Sequence, residues 1–169
     1  VQVYTGDGKG KTTAALGAAL RAVGHGWRAV VIQFLKGGGL TGELAAAARL
    51  APELTIVQYG TGELIIGRAP TPGEIALARE GLAAAERIMA QGAARLVVLD
   101  EIAAAVNLGL LEAEAAVRAV NGRAPTVEVV LTGRGMPARL LELADLVSEI
   151  RAVRHPYERG IPAREGIEY

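Results

Sequence analysis

Short, nearly unbroken apolar runs alternate along this chain with longer stretches in which apolar positions recur every three or four residues. Ala29 to Leu35 (AVVIQFL) is almost wholly apolar, the pattern of a strand covered on both faces. Arg95 to Asp100 (RLVVLD) and Val127 to Thr132 (VEVVLT) share it, and shorter runs stand at Val1 to Tyr4 and Leu54 to Gln58. Between them lie helical patterns. Lys11 to Val23 is alanine-rich and stops at Gly24-His25-Gly26, a natural helix end. Gly42 to Leu50 predicts a short helix, and Ile75, Ala78, Leu82, Ala85 and Met89 mark one face of a long one. Leu111 to Val120 is a further helix, and Pro137 opens another that runs to about Ala144. Tyr59 to Pro72 is rich in turn residues and predicts a loop, and Leu146 to Val153 alternates like an edge strand. No repeat period is visible. The alternation of strand and helix predicts an α/β fold, a mostly parallel sheet of six strands flanked by helices. One domain over residues 1–169 is expected, with residues 154–169 as an irregular tail.

Sheets of this kind bind ligands beyond the carboxyl ends of their strands. Four polar segments follow predicted strand ends here: Thr5 to Thr13, Lys36, Asp100-Glu101, and Thr132-Gly133-Arg134. The first, TGDGKGKTT, follows the phosphate-loop pattern G-x-x-x-x-G-K-[ST] except that Thr5 stands in place of the first glycine. Gly6, Gly8 and Gly10 permit a tight loop whose N–H groups turn toward an anion, and the following helix adds its positive end. Lys11 reaches phosphate oxygens, and the Thr12 hydroxyl can ligate magnesium. Asp7, Lys9 and Thr13 complete the expected nucleotide-binding segment. A carboxylate ending a buried strand is the expected second partner of the metal or its water. Asp100 and Glu101 are adjacent and point in different directions, so one meets the metal region while the other orients a loop or acts as a base. Arg134 offers a planar, permanently charged donor for phosphate. Arg21 sits two turns past Thr12 and has a structural place, whereas Lys36 can touch ligand or water.

Composition narrows the classes. Lys plus Arg and Asp plus Glu number 18 each among 169 residues, which argues against a broad nucleic-acid or anionic-membrane surface. There is no cysteine, so disulfides and thiolate metal sites are excluded, consistent with a cytoplasmic setting. No apolar run reaches the ~18 residues that suggest a membrane span, and no signal-peptide pattern is present. The two histidines, His25 and His155, are too far apart to form a metal site by spacing. From these residues alone the chain is a magnesium-dependent nucleoside triphosphate binder of unspecified reaction.

Six segments in fixed order carry a resemblance: VYTGDGKGKTTAALGAALRAVGHG (3–26), VIQFLKG (31–37), VVLDEI (97–102), LTGRG (131–135), ELADLVSEI (142–150) and RHPYERGIPAREGIEY (154–169). Together they resemble the ATP:corrinoid adenosyltransferases, also called cob(I)alamin or cob(I)yrinic acid a,c-diamide adenosyltransferases. The resemblance implies a RecA-like P-loop fold, a homodimer, and transient contact with a flavoprotein that reduces Co(II)-corrinoid. It implies ATP as co-substrate, a magnesium or manganese ion, and a corrinoid (cobalamin or cobyrinic acid diamide) as acceptor. In that family a threonine precedes the loop glycines, as here. ATP lies with its triphosphate reversed, and Co(I) attacks the adenosine 5′ carbon to release triphosphate. Transferred residue by residue, Gly8, Lys9, Gly10, Lys11 and Thr12 hold phosphates and metal. Glu101 is then the metal-side carboxylate with Asp100 behind it, and Lys11, Glu101 and Arg134 carry catalysis. Two departures stand out. Many members carry residues ahead of the first strand that help cover the site, whereas this sequence opens on the strand. The family commonly has G-F-x-W after its third strand, near the corrin. Gly62-Glu63-Leu64-Ile65 stands there instead, with Glu63 for Phe and Ile65 for Trp. Leu64 and Ile65, with Ile66, either shield the cobalt from water or anchor the loop in the core. An ordinary P-loop ATPase or kinase, and a non-catalytic ATP- or corrinoid-binding module, remain the alternatives.

Overall fold

A computed structural model describes residues 1–39 and 41–167. Glu168 and Tyr169, which close the tail motif quoted above, lie outside the described residues. In chain order the elements are β1 (Gln2–Thr5), α1 (Lys11–Gly24), β2 (Ala29–Phe34), α2 (Gly42–Arg49), β3 (Leu54–Tyr59), α3 (Pro72–Gln91), β4 (Leu96–Asp100), α4 (Ile102–Asn107), α5 (Ala113–Asn121), β5 (Glu128–Thr132), α6 (Ala138–Leu141) and β6 (Leu146–Glu149). The six strands form one sheet in the order β3-β2-β4-β5-β1-β6, and every pairing is parallel.

The apolar runs split by parity between two helical layers. Val30, Ile32, Phe34, Val97, Leu99, Val129 and Leu131 pack against α3, α4, α5 and α6. Ala29, Val31, Leu96, Val98 and Val130 pack against Ala15, Ala19 and Ala22 of α1 and Ala47 of α2. Both faces are dry, and that is why these strands are apolar throughout rather than alternating. The register also aligns the carboxyl ends. Gln33 lies beside both Gln58 and Asp100, and Tyr4 beside Thr132.

Four elements depart from the sequence expectation. β6 ends at Glu149 rather than Val153, because the phosphate loop leaves the sheet after Thr5 and no strand remains to pair with. The Ile150 N–H still donates to the Thr5 carbonyl at 2.8 Å, and the Ile150 carbonyl accepts from Gly8 N–H at 2.7 Å. The chain then turns across the loop. Ile102–Asn107 is a helix hidden behind the end of β4, capped by Glu101 in a left-handed conformation. The helix after Pro137 ends at Leu141 instead of about Ala144, and Pro137 is its N-cap. Among its described residues the tail contains one 3-10 turn, Pro156–Arg159.

Candidate active site

The loop between β1 and α1 is held down from above. A side chain at Gly6 would place its Cβ 2.4 Å from the Ile150 carbonyl oxygen, and one at Gly8 would lie 2.7 Å from that of Arg151. Gly6 and Gly10 also have φ of 96° and 121°, where a side chain is strained. No side chain caps the start of α1, so its first N–H groups face the loop. The buried Lys11 ammonium donates to the Gly6 and Gly8 carbonyls, both at 2.7 Å. Burial, then the neighbouring Arg134 charge, lower its pKa, against the opposing pull of Glu101, Asp7 and Asp100.

Thr5 has a structural use that a glycine could not supply. Its hydroxyl donates to the Gly133 carbonyl at 3.0 Å and lies 3.4 Å from the Met136 N–H that donates to it. The substituted letter therefore ties the phosphate loop to the turn that carries Arg134.

Asp100 and Glu101 separate sharply. Asp100 is fully buried and its Oδ1 accepts from Thr12 at 2.8 Å and from Thr132 at 2.7 Å. Its Oδ2 accepts from Gln33 at 3.1 Å and pairs with Lys36 at 3.2 Å. The phosphate-loop threonine thus touches Asp100. Glu101 has φ of 61°, an uncommon conformation for a residue with a side chain, and its N–H donates to Thr132 at 2.9 Å. Burial, then the Asp100 charge, push its carboxyl pKa up, while Lys11, Lys36 and Arg134 pull it down.

Two hollows open side by side. The first, of about 470 Å³, is lined by Gly8 through Thr13, Lys36, Glu43, Glu101, Arg134 and His155. Ile167 of the tail also borders it, and its carbonyl accepts from Lys9 Nζ at 3.1 Å. The second, of about 390 Å³, is lined by Leu35, Lys36, Gln58, Glu63, Leu64, Ile65, Ile66 and Leu108. Lys36 borders both. In the second hollow the two readings of the apolar triplet divide by residue. Ile65 packs on the core, whereas Leu64 and Ile66 are 80% and 76% exposed. Arg68 staples this loop to α3 through a two-pronged pair with Glu74 at 2.7 and 2.8 Å, and Glu74 also closes a capping box with Thr71.

Asp7 stands exposed on the loop, Thr5, Gly6 and Asp100 lie behind the first hollow, and the other expected site residues border one of the two. Arg21 and His25 lie apart from both, at a separate hollow beside Trp27. Thr132 belongs to a strand-end segment that the sequence already marked, whereas Glu43, Gln33 and Gln58 carry no expectation from the sequence. Gln33 had a signal: it is the one polar side chain inside AVVIQF. Glu43 pairs with Lys36 at 3.6 Å and accepts from Gln33 at 3.4 Å; burial would raise its pKa, but hydrogen bonding and the Lys36 charge outweigh it and leave it lowered. Among the described residues no cluster of three His, Asp or Glu side chains could hold a metal alone. A threonine hydroxyl 2.8 Å from a buried carboxylate nonetheless suits magnesium, which takes one or two protein oxygens and completes its shell with phosphates and water.

A glycine-rich loop between the first strand and helix of a parallel sheet, with its threonine on the carboxylate that ends a neighbouring strand, is the arrangement of a P-loop NTPase-like α/β protein. Residues 1–169 match the family described as ATP:corrinoid adenosyltransferase BtuR/CobO/CobP, and the chain belongs to that family. It is 40% identical over 167 residues to the corrinoid adenosyltransferase of Escherichia coli K12, covering 99% of this chain and 84% of that protein. It is 40% identical over 168 residues to corrinoid adenosyltransferase CobA of Salmonella typhimurium, with the same coverage, and 36% identical over 167 residues to the Pseudomonas aeruginosa corrinoid adenosyltransferase, covering 99% and 82%.

Proposed function

We propose that this chain transfers the 5′-deoxyadenosyl group of ATP to the Co(I) centre of a reduced corrinoid and releases inorganic triphosphate. The observation that carries this reading is the junction of a cationic phosphate hollow with an apolar one at Lys36. The triphosphate lies over Gly6 to Thr13, with Lys11 and Arg134 against its oxygens. The 5′ carbon points toward Lys36 and the corrinoid sits over Leu64, Ile65 and Ile66. The cobalt lone pair attacks the 5′ carbon, the C5′–O bond breaks, and its electron pair leaves on triphosphate. The nucleophile belongs to the substrate, so the protein needs none of its own. Its work is to align the three reacting atoms and to neutralise charge on the leaving group. Thr12 and Asp100 would hold magnesium or manganese, which supplies further neutralisation of the triphosphate. Asp100 takes the metal-side place in this reading, and Glu101 lies toward Lys11 and Arg134. The apolar loop residues exclude water from a four-coordinate cobalt in place of the family's aromatic pair.

The same reading includes one P-loop domain over residues 1–169, a homodimer, cytoplasmic operation, and a flavoprotein reductase that delivers Co(I). Among the described residues no helix is long and apolar enough to cross a membrane. Isotope labelling tests the reaction. With ¹⁸O in the oxygen joining C5′ to the α-phosphorus, the label is expected in the released triphosphate. Label retained on the adenosyl product would mean cleavage at phosphorus and overturn the reading.

A further inference from the structure

Gln58, Gln33, Asp100 and Thr132 sit at the carboxyl ends of four neighbouring strands, β3, β2, β4 and β5. The first three are register partners across the sheet, and all four share the face covered by α1 and α2. Directly beneath them that face carries Ile56, Val31, Val98 and Val130, so the buried polar row is confined to the level of the phosphate loop. Gln33 and Asp100 are both fully buried. Gln58 Nε2 donates to Gln33 Oε1 at 2.9 Å, and Gln33 Nε2 donates to Asp100 Oδ2 at 3.1 Å and to Glu43 Oε1 at 3.4 Å. Asp100 then receives the Thr12 hydroxyl at 2.8 Å.

We propose that Gln58 and Gln33 are positioning residues for the metal-side pair Asp100 and Thr12, an inference that rests on the magnesium–triphosphate reading of this site. The direction of the row is chemically forced. Asp100 and Glu43 present only acceptors to Gln33, so its amide nitrogen must face them and its oxygen must face away. That buried oxygen needs a donor, and Gln58 supplies it. Fixing the Gln33 amide fixes Oδ2 of Asp100 and leaves Oδ1 for the threonines. Residues that orient metal ligands from behind set affinity by roughly 10- to 100-fold. Gln58 also lines the apolar hollow, so the row joins the acceptor's side of the site to the metal side.

The test measures equilibrium ATP binding while magnesium is titrated, with no corrinoid present. Gln33→Met and Gln58→Met keep side-chain length but remove the amide. Each is expected to raise the magnesium concentration for half-maximal binding roughly tenfold or more, with full binding recovered at saturating magnesium. The double variant should be no worse than Gln33→Met, since both act on one chain of bonds. Gln58 is half-buried, so Gln58→Met decides the matter if Gln33→Met fails to fold. A Gln58→Met protein with an unchanged magnesium requirement, or one equally weakened at every magnesium concentration, would overturn the proposal. Wild-type protein that binds ATP without regard to magnesium would overturn the underlying metal reading as well, so the two failures are distinct.

Discussion

At Thr5 a single hydroxyl bridges the phosphate loop and the Arg134 turn, so restoring the glycine of the general pattern should harm this protein. Thr5→Gly removes two hydrogen bonds and adds chain freedom, an expected loss of about 1–2 kcal/mol. Urea denaturation measures it, and an unchanged midpoint would show that the bridge is idle. Glu101 is the opposite case, a residue that costs stability where it stands. Its folded pKa lies above the ordinary value of 4.5, chiefly through burial and then through Asp100. Ionising it therefore penalises the folded state, fully above its folded pKa and not at all below the unfolded one. Glu101→Gln should melt higher than wild type at neutral pH, and the gain should vanish as pH falls below about 4.5. A gain independent of pH would assign the effect to packing instead. The same carboxylate lies beside Lys11 and Arg134 and offsets the repulsion between those two cations.

Among the elements, the β3–α3 loop shows how a functional segment is held. Glu74 is kept down to about 2, first by its hydrogen bonds from Arg68 and then by the Thr71 N–H, against burial. A depressed carboxyl stabilises the fold above its unfolded value and loses that contribution as pH falls from 4.5 toward 2. Glu74→Gln should flatten the acid limb of the stability curve in that window. It should also loosen the loop that displays Leu64 and Ile66, detectable as faster backbone hydrogen exchange there. An unaltered acid limb would contradict the staple. Local pattern was enough to locate this loop, all six strands and the phosphate loop, because apolar runs and glycine spacing are properties of adjacent residues. It could not locate the short helix Ile102–Asn107, whose start requires Glu101 to take a left-handed conformation that nothing in VVLDEI announces. Nor could it shorten β6, since that strand stops where its partner leaves the sheet. Which of Asp100 and Glu101 meets Thr12 was half legible. Asp100 shares the parity of Leu96 and Val98, but that this parity faces α1 depends on the assembled sheet. The Gln58–Gln33 row needed register between strands 25 residues apart in sequence, which periodicity does not encode.

For the molecule as a whole, the sheet brings a charged and an apolar hollow to one edge and lets Lys36 border both. An aliphatic core with dry faces sets the rigid floor, and the loops above carry the chemistry. In the proposed reaction this junction makes a cobalt–carbon bond at the expense of a whole triphosphate. The most direct measurement is a stoichiometry under anaerobic conditions, with ATP, magnesium and chemically reduced cob(I)alamin. Light-sensitive adenosylcobalamin is counted by absorbance, and the inorganic product is identified and counted in the same sample. One triphosphate is expected for each cobalt–carbon bond and none without the corrinoid. Orthophosphate release, or triphosphate formed with no photolabile product, would contradict it.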